Sequence, residues 1–140
     1  MSKKVNLVKV CVGAGTIADL ASRQELSLSN SGKLIHVTRM WPKRKKELLA
    51  GGSIYWVFRG LILARQEIIG FEEIIRQDKI RRCGLILNTV IYKTKPQPKK
   101  AFQGWRYLKK EDSPIDIGRY NQKEALPDSM ELELSRLGVF

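Results

Sequence analysis

After Gly51-Gly52 the sequence offers no further helical periodicity until the C-terminal segment, and the stretch between is one strand-like run after another. Ser53–Arg59 is rich in aromatic and β-branched residues, Gly60 marks a turn, and Leu61 to about Ile75 reads as one long strand or a bent pair. Gly70 is the expected bulge within it. Ile80–Leu87 and Thr89–Lys93 continue the series, Lys95–Lys100 reads as a stiff extended loop, and Phe102–Leu108 closes it around Gly104. Strands that succeed one another without intervening helices cannot build a regularly alternating parallel sheet.

The first fifty residues have a different rhythm. Val5–Val12 reads as a strand broken only by Asn6 and Lys9. Gly13 and Gly15 form a turn, Thr16 and Asp19 have capping-box spacing, and a short helix should run to about Leu26. Ser27–Gly32 is polar and reads as a loop, and Leu34–Arg39 alternates as a strand. A second helix is expected from Pro42 to Ala50, with proline at its first position and Gly51-Gly52 as its stop. The whole reads as α+β: a small, strongly bent antiparallel sheet or barrel with two or three short helices. Residues 1–110 would form that single domain, and 111–140 an acidic C-terminal extension, docked or partly mobile, with a short helix over Leu126–Leu137.

Charge is unevenly spread along this frame. Residues 33–110 hold 19 Lys/Arg against 5 Asp/Glu, a balance of +14 in a chain whose total is +12. Such self-repulsion is commonly relieved by a polyanion. The same stretch contains all three tryptophans, Trp41, Trp56 and Trp105. Basic groups interleaved with flat rings can grip phosphates and stack bases. The sharpest constellation is Arg39-Met40-Trp41-Pro42-Lys43-Arg44 together with Phe102-Gln103-Gly104-Trp105-Arg106-Tyr107. If the two segments meet at one rim, Trp41 and Trp105 form a stacking slot flanked by Arg39 and Arg106. The alternative is that both rings close the core while arginine stems snorkel outward. Tyr55, Trp56 and Phe58 are core or a second aromatic surface.

Lys43, Arg44, Lys45 and Lys46 crowd the start of the second helix, where cations oppose the helix dipole. That placement reads either as an anion-receiving helix terminus or as a solvated basic face. With Arg81, Arg82, Lys99 and Lys100 these residues would supply phosphate contacts.

Catalytic patterns are weak. Val12-Gly13-Ala14-Gly15-Thr16-Ile17-Ala18 mimics a dinucleotide turn, but the next strand ends in Arg39 rather than an acid, and a plain turn is the simpler reading. His36 is the chain's only histidine, and a catalytic role would require a nearby acid. Glu47, Glu67, Glu72, Glu73 and Asp78 are equally explained as partners of the surrounding bases. Cys11 and Cys83 read as reduced, buried thiols, and their spacing with His36 fits no zinc site. No cofactor is expected. No segment approaches the roughly 20 apolar residues of a membrane span, and the start of the chain is a poor signal peptide, so the expected compartment is the cytoplasm.

Two likenesses extend this reading. Gly32–Arg44, Gly51–Val57 and Phe102–Leu108, taken as written in this sequence, resemble a family of small uncharacterised proteins found mainly in alphaproteobacteria and known only as a domain of unknown function. That resemblance covers the chain to about Ile117 and implies no activity. More loosely, a basic helix, a Gly-Gly-Ser turn, an aromatic strand, Gly60 and a strand through Ile68–Glu73 are similar in layout to the PUA-like superfamily, with its ASCH, EVE and YTH relatives. That likeness implies a cleft for RNA or a modified base, with Arg39, Trp41, Lys43, Arg44, Trp105 and Arg106 beside it. The expectation is therefore a non-enzymatic nucleic-acid-binding domain, RNA favoured. The rivals are an enzyme on a nucleotide or RNA substrate, and a protein-interaction module whose acidic tail masks the basic face until a partner displaces it.

Overall fold

A computed structural model describes residues 5–120. In chain order its elements are β1 (Val5–Val10), α1 (Ile17–Ser31), β2 (Ile35–Thr38), α2 (Lys45–Leu49), β3 (Ser53–Phe58), β4 (Leu61–Ile75), β5 (Arg81–Leu87), β6 (Tyr92–Pro98), β7 (Trp105–Lys109), a 3-10 turn at Lys110–Asp112, and β8 (Asp116–Arg119). All eight strands belong to one mixed sheet ordered β2-β5-β4-β3-β1-β7, with β6 on β4 and β8 on β6.

Strand β4 organises this sheet. Its first half pairs with β3 on one side and β6 on the other, and its second half pairs with β5. The ladder to β5 shifts between Ile68 and Gly70, where the sequence places its bulge, and a bulged strand bends. The antiparallel expectation fails at one place: β1 and β3 are parallel, joined by a crossover that contains both helices and β2. Nor does the sheet close as a barrel. Strands β2 and β7 lie at opposite ends of the path with no ladder between them. Side chains link those ends instead. Trp105 Nε1 donates to Met40 O at 2.8 Å, and Tyr107 Oη accepts from the backbone N–H groups of Lys43 and Arg44.

Helix α1 starts as its sequence requires. Thr16 Oγ1 accepts from Asp19 N, and the Asp19 carboxylate accepts from Gly15 N. It then runs five residues beyond the expected end at Leu26. Leu28 packs on the core and Gly32, at φ 75°, provides the left-handed cap whose N–H reaches Leu28 O. Burial of one face thus outweighs the poor helix propensity of the Ser- and Asn-rich turn. Segment Lys95–Lys100 is also corrected: residues through Pro98 lie in β6, where Lys95 N donates to Ile115 O and Lys99 N to Gly60 O. The prolines at 96 and 98 lie between these two donors, in a strand whose ladder to β4 is irregular.

The larger core lies under α1 and α2 and takes in Leu7, Leu20, Leu48, Ile54, Phe58, Ile68 and Leu85. A smaller one on the other face gathers Val8, Tyr55, Val57, Ile62 and Leu108. Tyr55, Trp56 and Phe58 are all buried, so the aromatic strand is core. Gln66, fully buried, accepts from Trp56 Nε1 at 3.0 Å and exchanges amide hydrogen bonds with Gln24, tying α1 to the sheet. Cys11 and Cys83 are free and buried. The sheet continues past Lys110: β8 pairs with β6, and Ser113 Oγ accepts from Asn6 Nδ2. The helix expected over Leu126–Leu137 lies outside the described residues.

Candidate nucleic-acid interface

Between β2 and α2 the chain leaves the sheet edge and crosses towards β7. Helix α2 begins at Lys45 rather than Pro42, with Arg44 as a cap that makes no side-chain cap bond. The N–H groups of Lys43 and Arg44, which the sequence offers to an anion, are both taken by the Tyr107 phenol. Those two N–H groups are therefore withdrawn from an anion. What remains is a basic face.

The two Trp/Arg segments do meet, but not as a slot between two indoles. Trp105 is 5% exposed, belongs to the larger core and stacks edge-on against Tyr107 at 4.9 Å. Its role is to anchor the Met40 segment, so the expectation that it offers a free stacking face is corrected. Trp41 is half-buried at the surface. Arg81 Cζ stands 4.0 Å and Lys45 Nζ 4.6 Å from its ring centroid. The electron-rich indole face attracts both cations and eases their mutual repulsion. Its own N–H is buried with no partner among the described residues.

Around this stack the remaining sequence candidates divide. Arg39, Lys43 and Arg44 on the crossing segment and Lys46 in the first turn of α2 are exposed. Arg44 pairs with Glu47 and lies over Tyr107 at 5.4 Å. Arg81 pairs with Glu73 at 2.9 Å. Arg82 is 8% exposed and holds Asp78 through two hydrogen bonds, so it is a structural brace rather than a phosphate contact. That guanidinium, with the Ile80 N–H, keeps the Asp78 carboxyl well below the ordinary range. Three of the five central acids therefore act as ion-pair partners, as their setting in the sequence implies. Lys99, Lys100 and Arg106 stand apart: Lys99 bonds to Gly60 at the β3–β4 hairpin, and Arg106 covers Phe102 at 4.7 Å on the face of the smaller core.

His36 has the wrong neighbours for a carboxylate-assisted base. Its Nε2 lies 2.8 Å from Lys9 Nζ, and its ring meets Trp56 edge-on at 5.1 Å. Burial first, then the charges of Lys9 and Arg23, push its pKa down to about 4 from 6.5. Because the unfolded chain binds this proton at higher pH than the fold does, the stability His36 contributes is complete above about pH 6.5 and is lost as pH falls through 4. The loss is roughly 3 kcal/mol. Urea unfolding at pH 7 and pH 4 should show that loss in the native chain and a smaller one in His36→Gln. Equal losses in both would contradict this environment. Lys9 escaped the sequence reading, although the signal was present: a lysine among the inward positions of an otherwise apolar strand.

Among the described residues no three His, Cys, Asp or Glu side chains group as metal ligands, and no helix is long and apolar enough to cross a membrane. No curated protein and no solved structure matches the chain. A model of a family described as a protein of unknown function (DUF1489) matches residues 7–140, beyond the Ile117 limit of the resemblance, and the chain belongs to that family.

Proposed function

We propose that the chain binds nucleic acid, RNA in preference to duplex DNA, through the basic face centred on Trp41. The observation that carries this reading is the stack of Arg81 and Lys45 on the Trp41 ring, set among the exposed Arg39, Lys43 and Lys46. Arg81 on the indole offers a guanidinium plane against which an unpaired base can stack, while the neighbouring cations meet phosphates. Glu73, Glu47 and Asp78 hold the arginines in place. The order of elements in the sequence, similar in layout to PUA-like folds that bind RNA, supports the same reading, although this sheet does not close as a barrel. Lys99, Lys100 and Arg106 would add a second, weaker contact area.

In this scheme Trp41 supports the plane and Lys100 only adds charge. Trp41→Ala should weaken binding of a single-stranded RNA about 10- to 100-fold, the range of one stacked base, whereas Lys100→Gln should cost a few-fold. Fluorescence anisotropy on both variants decides it: equal small losses would mean a diffuse electrostatic surface.

A further inference from the structure

Alternation along β1 sends Val5, Leu7 and Cys11 into the larger core, each 5% exposed or less, and puts Lys9 in the same inward row. Its ladder neighbours are Trp56 on β3 and Trp105 on β7, both core residues. An amine in such a row ordinarily faces a carboxylate. Among the described residues Lys9 has no ion-pair partner, and its contact is the His36 ring. With the lysine donating to Nε2, the imidazole carries its own proton on Nδ1. Burial lowers the pKa of both groups.

Beside this pair, between α1 and β2, is a pocket of about 130 Å³. Arg23, Gln24 and Ser27 line it from α1, His36 from β2 and Trp56 from β3, with leucine and isoleucine side chains making up the rest. Gln24 and Trp56 are both fixed by Gln66, so this wall is preorganised. Arg23, whose Nη1 donates to Val12 O at 2.7 Å, is the charged side chain that lines it, and Lys9 stands behind His36. Asp19, one turn before Arg23, is engaged with Gly15 N, and burial holds the nearby Cys11 thiol towards its neutral form. Positive charge in a partly desolvated cavity whose lining holds no carboxylate favours an anion.

We propose that this pocket binds a small organic anion, its carboxylate or phosphoryl group set against Arg23 and the Lys9–His36 pair and its apolar part against Trp56. The site is independent of the basic face.

As the only histidine, His36 gives unambiguous imidazole NMR signals. The full chain is titrated with benzoate and with inorganic phosphate, against chloride at matched ionic strength. The expected result is a saturable shift of the His36 signals and a rise of its titration midpoint by about one pH unit, since an anion favours the protonated ring. Benzoate alone would mark a carboxylate ligand, phosphate alone a phosphoryl ligand, and either supports the proposal. Arg23→Gln and Lys9→Gln should each weaken the response about tenfold or more, and Lys46→Gln should leave it unchanged. A His36 signal that tracks only the chloride control overturns the proposal, as does a response untouched by Arg23→Gln.

Discussion

Neutralising Arg39, Lys43 and Lys46 together by Gln is expected to cut RNA affinity about fifty-fold at 0.15 M salt and to flatten its salt dependence by about two logarithmic units per decade. The magnitude comes from counterion release. Each single-strand phosphate contact contributes a slope of about 0.7, so three lost contacts remove about 2.1, which at this salt amounts to roughly 1.7 decades of affinity. These three side chains are exposed, and none appears among the ion pairs of the described residues, so their removal should leave the fold intact. Arg44, Arg81 and Arg82 are unsuitable for this test because each braces an acid. An unchanged salt slope would move the interface elsewhere.

Gly52→Ala is expected to abolish folding, or to cost more than about 4 kcal/mol. A β-carbon at Gly52 would sit 2.3 Å from Val5 O and 2.6 Å from Leu48 O, both backbone atoms that cannot rotate away. Gly52 also donates to Leu48 O and accepts from Ile68 N, so it joins α2, β3 and β4 at one point. Shifting it would tear the basic helix from the sheet. Circular dichroism and thermal unfolding of the variant should show little cooperative structure at 25 °C. A folded Gly52→Ala variant with a near-native melting temperature would contradict the close packing of this junction.

The α+β character, the Gly70 bulge, the Thr16 cap and the buried aromatic strand were legible because each rests on a local rule of period, cap or turn. The parallel β1–β3 pair was not, because it depends on where the chain returns after a crossover of some forty residues, which no local pattern encodes. Loop 95–100 was misread for a related reason: whether a proline disrupts a strand depends on which neighbour needs its N–H. Arg82 and Trp105 looked like ligands from their company in the sequence. Only the fold reveals that Asp78 claims one and Met40 O the other. Asn6 and Lys9 looked like interruptions of a strand. Asn6 instead clamps Ser53 and Ser113, and Lys9 faces His36.

Binding of labelled single-stranded RNA, hairpin RNA and duplex DNA across a salt series, with tryptophan fluorescence monitored in parallel, tests the central claim most directly. The basic Trp41 face predicts tight binding that prefers an RNA, perturbs tryptophan emission, and persists at 0.15 M salt. Weak, unselective binding that disappears by that salt, with emission unchanged, would contradict it.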